Sequence, residues 1–167
     1  MNSKIKDLVR IALVAALYVV LTVINPFSYD QVQFRISEIL MFLVFFRKDY
    51  SYSLVLGCFI SNFFSPMMLY DIIFGTSATI LACLCMAYSK NIYVSAIFPV
   101  IFNAILVGIE LSLAFDTPFL INAGWVALGE TVVMIVGLII FVILKRNKPF
   151  MNMIMADQNI ANKNDDN

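Results

Sequence analysis

Long apolar stretches alternate with short polar connections along the chain, at residues 8 to 24, 36 to 46, 52 to 65, 72 to 89, 93 to 114 and 123 to 144. A helix crosses a bilayer with roughly 20 mostly apolar residues. The pattern therefore predicts an all-α integral membrane protein of six transmembrane helices, the second and third being the shortest, with one domain over residues 1 to 146. Beyond residue 146 the sequence turns to Asn, Asp, Lys and Gln and ends Asn164-Asp165-Asp166-Asn167. Such a segment buries too little apolar surface to order itself, so residues 147 to 167 read as a disordered cytoplasmic tail in which Phe150 to Met155 is the part able to touch the membrane surface.

Composition agrees. With 62% hydrophobic and 13% charged residues among 167 and a mean hydropathy of +0.90, the chain holds more apolar surface than a soluble domain of this size hides in one core. Basic residues sort by connection. Lys4, Lys6 and Arg10 precede the first span, Arg47 and Lys48 join the second to the third, Lys90 joins the fourth to the fifth, and Lys145, Arg146 and Lys148 follow the sixth. The positive-inside bias then puts both termini in the cytoplasm and leaves Arg35 as the basic residue outside. The formal net charge of zero hides this sidedness and gives no argument for nucleic-acid binding. Val20 to Asn25 offers no small-x-small cleavage site, so the first span reads as a retained helix rather than a signal peptide. Cys58, Cys83 and Cys85 lie inside predicted helices without metal-site spacing and read as small apolar residues.

Carboxylates are the expensive residues in such a chain, since one at mid-bilayer costs on the order of 3 kcal/mol on insertion scales. With the N-terminus inside, the connections near 25 to 35, 66 to 71 and 115 to 122 lie outside, which places Glu38, Asp71 and Glu110 near the outer surface. Glu130 follows at roughly 10 Å depth, using 1.5 Å per residue. A protein-lined cavity with a partner or ligand is the sensible place for them. Asn103 and Glu110, seven residues apart, share a helix face. Arg35 and Glu38 stand three apart and either pair with each other or divide between ligand groups. Asn62 ends the third span on the same side, and Phe34, Tyr70 and Trp125 offer flat aromatic surface of the kind that stacks on planar rings. Blander roles stand beside these: an interfacial ion pair for Arg35 and Glu38, an N-cap for Asp71, an interfacial anchor for Trp125.

Small residues recur at four-residue intervals, Ala12 and Ala16 on the first span and Ser53, Gly57 and Ser61 on the third, a spacing that lets helices approach closely. Internal packing accounts for it; a docking face for another membrane protein is the sharper alternative. Catalytic signatures are absent: the sequence has no histidine, no phosphate-binding loop and no nucleophile elbow. Uphill transport would need a partner or an ion gradient.

Several polar stretches resemble a known family. Gln33-Phe34-Arg35-Ile36-Ser37-Glu38, Gly57-Cys58-Phe59-Ile60-Ser61-Asn62-Phe63-Phe64-Ser65-Pro66, Asp71-Ile72-Ile73-Phe74-Gly75, Asn103-Ala104-Ile105-Leu106-Val107-Gly108 and Gly129-Glu130 together look like the QueT family of queuosine-precursor transporters, over about residues 8 to 144. The resemblance implies the six-helix S component of an energy-coupling factor transporter in a prokaryotic cell membrane, with a transmembrane T subunit and two cytoplasmic ATPases as partners and no cofactor. It also implies delivery by toppling, and docking on the T subunit through an Ala-x-x-x-Ala pattern that Ala12 and Ala16 match. The implied substrate is a 7-deazaguanine such as preQ0, preQ1 or queuine. Glu110 or Glu130 would accept its N1 and N2 donors, Arg35 or an asparagine amide would donate to O6, a second carboxylate would meet a preQ1 aminomethyl cation, and Phe34 or Trp125 would cover the ring. The alternatives are an S component for another vitamin or nucleobase, and a stand-alone ion-coupled carrier working through Glu110 and Glu130.

Overall fold

The computed structural model describes residues 3–155. Every regular element among the described residues is helical. Helix α1 covers Ser3–Val23 and α2 covers Ile36–Phe46. Then come α3, Tyr50–Asn62, α4, Met68–Tyr88, α5, Ile92–Phe115, α6, Phe119–Leu144, and α7, Lys148–Met155. The first six track the six apolar stretches of the sequence, because within a low-polarity stretch only a helix satisfies every backbone group locally.

Three of them, α4, α5 and α6, are long and apolar enough to cross a membrane, and α2 is a shorter apolar helix. At 1.5 Å per residue α6 measures about 39 Å, more than a hydrocarbon core of about 30 Å, so a tilted crossing fits it. Helix α2 starts as a tight 3-10 stretch, Ile36–Met41, and relaxes to α-helix at Phe42–Phe46. Met41, Phe42 and Val44 are fully buried, so this irregular backbone is shielded by protein, the condition under which it is tolerated at membrane depth.

Helices α1 and α3 pack closely. A methyl group added at Gly57 would lie 2.8 Å from the Cβ of Tyr18 and 3.0 Å from the carbonyl of Ala15, and Ser53 and Ser61 are fully buried. The Ser53-Gly57-Ser61 stripe therefore serves packing inside the bundle, and a docking role for it is not needed. Helices α5 and α6 form an antiparallel pair whose turn is braced by Asn122, which donates to Thr117 Oγ1 at 2.8 Å and to Ser112 Oγ at 3.1 Å.

The two ends of the bundle differ in chemistry. At one end Arg47 meets Asp49 at 3.0 Å and Asp7 at 3.4 Å, Arg10 meets Asp7 at 2.6 Å, and the Lys48 ammonium stands 4.2 Å above the Tyr88 ring. Helix α7 docks at this end. The Tyr50 hydroxyl donates to the Ile154 carbonyl at 3.3 Å, Phe150 meets Phe141 edge to face at 6.2 Å, and Ile154 is buried. The tail expected to be disordered from residue 147 thus opens with a docked amphipathic helix, because Phe150, Met151 and Ile154 put apolar surface on one face; the rest of that expectation lies outside the described residues. The aromatic core, where Phe42 and Phe46 stack on Phe141, adjoins this end. Buried polar residues gather toward the other, under the connections 24 to 35 and 63 to 67.

Candidate functional site

The connection from α1 to α2 is folded over the bundle rather than extended. Asn25 accepts from the Phe27 amide at 3.2 Å and donates to the Phe34 carbonyl at 2.6 Å, closing a loop that Pro26 starts with a 3-10 turn, Pro26–Tyr29. The Tyr29 hydroxyl pins the loop to α3 by donating to the Ser61 carbonyl at 2.6 Å. Gln33 adopts a left-handed conformation, φ 46°, which turns the chain back toward the interior. On α6 the Val32 backbone rests directly on Gly129, where any side chain would collide with the Val32 carbonyl. Glycine at 129 is what lets the loop seat on that helix.

Beneath the loop lies a first cluster, built on Arg35. Its Nε donates to the Ser28 carbonyl at 3.0 Å, one terminal nitrogen meets Asp71 Oδ1 at 2.6 Å, and the guanidinium stands 5.7 Å from the centre of the Tyr29 ring. The other Asp71 oxygen accepts from Ser65 Oγ, which in turn accepts the Met67 amide at 3.0 Å. Asp71 opens a π-helical stretch within α4, Asp71–Gly75, an irregularity that often marks functional sites. There its carbonyl accepts from Asn62 Nδ2 at 2.7 Å. Asn62 also reaches Thr76 Oγ1 at 3.3 Å. Asp71 is therefore an ion-pair partner inside a helix and not an N-cap, and Arg35 pairs across the bundle with Asp71 rather than along its own helix with Glu38.

A second cluster is built on Glu38. One carboxyl oxygen accepts from the Tyr18 hydroxyl at 3.3 Å and the other from Asn103 Nδ2 at 3.1 Å, while the hydroxyls of Thr22 and Ser37, 2.7 Å apart, tie α1 to α2 one turn away. Glu130 lies beside Glu38 and Asn103, close enough to interact electrostatically with both, yet among the described residues its Oε1 has no partner. Two carboxyls this close hold together with a proton between them or with a cationic or donor-rich group beside them. Glu110 is fully buried, and among the described residues neither of its oxygens has a partner. It stands in electrostatic range of Asp71 and Arg35. Arg35 also acts on Glu38 and Glu130, so one guanidinium faces four carboxyls.

Of the residues singled out in the sequence, Arg35, Glu38, Asn62, Asp71, Asn103, Glu110 and Glu130 are all buried in this region. The aromatic candidates are not gathered there. Phe34 packs its ring against the apolar core, and Trp125 is 49% exposed, so it faces outward from α6. Ala12 and Ala16 are exposed on α1, opposite the inward face that carries Ala15, Tyr18 and Thr22. Sequence reasoning passed over Tyr18 and Gln33. Gln33 is 4% exposed, and among the described residues its amide nitrogen has no partner. The available signal for the first was the Tyr18-Thr22 pair, two polar groups four apart on one face of an otherwise apolar helix.

The arrangement suits binding. It offers several buried acceptors, few donors and no nucleophile held by a base, and no group of His, Cys, Asp or Glu among the described residues is arranged to hold a metal. Comparison with known proteins gives the chain a family. Residues 8–146 match the family described as QueT transporter. The chain is 36% identical over 153 residues to the queuosine precursor transporter QueT of Lactococcus lactis subsp. cremoris strain MG1363, covering 81% of this chain and 90% of that protein. No solved structure shows a significant match. The match reaches from α1 to the end of α6 and takes in both buried clusters, so the chain, a multi-pass membrane protein, belongs to the QueT transporter family.

Proposed function

We propose that the chain is the substrate-capturing S component of an energy-coupling factor importer, and that it takes up a queuosine precursor of the 7-deazaguanine class. The carrying observation is the Glu38-Glu130-Asn103 cluster, buried under a folded connection and left with unused acceptor capacity. A guanine-like edge presents adjacent N1 and N2 donors that one carboxylate accepts in two parallel bonds, and its O6 accepts from an amide such as Asn103 or Gln33. In a site closed to water, removing one such partner costs about 2–4 kcal/mol, because the group left behind is buried and unpaired.

The name of the Lactococcus relative supports the cargo. Basic residues on the connections at the α7 end support six crossings with both termini in the cytoplasm, which puts the loop-covered site on the outer side. Ala12 and Ala16, exposed on α1, suit docking on a T subunit through close helix approach, with two cytoplasmic ATPases supplying the energy and toppling of the S component delivering the cargo. A stand-alone carrier driven by protons is the second reading. Its support is the closeness of the buried Glu38 and Glu130 carboxyls, an arrangement that intramembrane proton relays also use.

Uptake separates the two. Proteoliposomes holding the chain with its T subunit and ATPases are expected to accumulate labelled 7-deazaguanine only with internal ATP, and to stop when the ATPase catalytic glutamates are replaced by Gln. Accumulation by the chain alone under a proton gradient would overturn the importer reading.

A further inference from the structure

We infer that the site selects 7-deazaguanines carrying a protonated exocyclic amine over neutral analogues of the same size, with Glu110 as the counter-ion of that amine. This rests on the 7-deazaguanine reading above and names which member of the class the site is built for.

The argument starts from charge. Of the four buried carboxyls, Asp71 is matched by Arg35 at 2.6 Å and by Ser65. Glu38 is held by Tyr18 and Asn103 and lies beside Glu130. Arg35 is the cation of this region; it acts on Glu110 electrostatically, but its hydrogen bonds go to Asp71 and to the Ser28 carbonyl. Among the described residues no donor reaches Glu110: both oxygens are without a partner in a residue of zero exposure. A buried carboxylate in that state is costly unless a cation or donor joins it. A ligand carrying an ammonium would supply one, and a ligand carrying a nitrile, an acceptor, would not.

Geometry places Glu110 apart from the edge-reading cluster. Gly108 on α5 faces Ala123 on α6, so in this antiparallel pair Glu130 lies level with about residue 101 on α5. Glu110 is then about nine residues away along the axis, roughly 13 Å at 1.5 Å per residue. A bicyclic heterocycle with a short substituent, plus a hydrogen bond at each end, bridges that span. Donor edge at Glu38 and Glu130, ammonium at Glu110, is thus one extended pose. Among the described residues of this region the unused acceptors on Glu110, Glu130 and Asn62 outnumber the unused donors, the Gln33 amide and the Ser28 hydroxyl, the same bias toward a donor-rich ligand.

The test is calorimetric titration of the purified full chain with 7-aminomethyl-7-deazaguanine, 7-cyano-7-deazaguanine and guanine. The aminomethyl compound is expected to bind at least 30-fold more tightly than the cyano compound. Glu110→Gln is expected to weaken the aminomethyl compound 10- to 100-fold and the cyano compound less than 3-fold, so that the preference collapses. Equal affinity of the unmodified protein for both compounds would overturn the inference and leave the 7-deazaguanine reading standing; that comparison needs no variant. A Glu110→Gln effect equal on both compounds would also overturn it. Binding of none of the three by folded protein would instead bring down the 7-deazaguanine reading, and this inference with it.

Discussion

Replacing Asp71 with Asn leaves the shape of the Arg35 pocket intact and removes the charge that pairs with it. Arg35 and Asp71 side chains are 3% and 1% exposed and 2.6 Å apart, so the guanidinium of the variant has no route to water. Breaking a buried pair by neutralising one partner costs about 3–5 kcal/mol, most of it the charge left unpaired. The low end applies here, because Arg35 still faces Glu38, Glu110 and Glu130 and keeps its bond to the Ser28 carbonyl. Arg35→Met alone strands Asp71 instead, with Ser65 as its remaining side-chain partner, at a similar cost. In the double variant neither charge is left, so the two losses should fall short of additive by at least about 2 kcal/mol. Unfolding in mixed micelles by increasing SDS, followed by the fluorescence of Trp125, the sole tryptophan, measures all three variants on one scale. Strict additivity would refute the pairing and with it the anchoring of the α1–α2 connection on α4.

Other perturbations reach the remaining parts of the account. Gly129→Ala pushes against the Val32 backbone, so it should lift the α1–α2 connection and weaken ligand binding about 10-fold, chiefly through faster dissociation in stopped-flow traces. Gly57→Ala drives a methyl group to 2.8 Å from Tyr18 and should destabilise the fold by about 1–3 kcal/mol in the same SDS titration. Ala16→Trp, on the exposed face of α1, should leave binding unchanged and, on the proposed importer reading, abolish co-purification with a T subunit. Tyr18→Phe removes the hydroxyl that donates to Glu38 at 3.3 Å and should cost about 1 kcal/mol of ligand affinity by calorimetry, with the melting temperature nearly unchanged.

Much of this arrangement is legible in the sequence because burying charge in an apolar chain is costly. Glu38, Asp71, Glu110 and Glu130 stand out against apolar neighbours, and their convergence follows from helix direction and loop sidedness alone. Pairing does not follow. Arg35 and Glu38, three apart, look like natural partners, yet the 3-10 geometry of Ile36–Met41 and the π stretch at Asp71–Gly75 send Arg35 to α4 and leave Glu38 to Tyr18 and Asn103. Neither irregularity has a sequence signature. Trp125 shows the same limit from the other side: an aromatic near a helix end reads equally as anchor or platform, and only the rotation of α6 decides that it faces out. Helix α7 was obscured by its neighbours, since eight residues with an apolar face are outweighed by the polar run that follows.

Titration of the purified chain, alone in detergent, with a 7-deazaguanine bears most directly on the central claim that Glu38, Glu130 and Asn103 form a capture site. The account predicts saturable one-to-one binding without ATP or partner, weakened at least 30-fold by Glu38→Gln or Glu130→Gln in protein that still melts cooperatively. Unchanged affinity in both variants would contradict it.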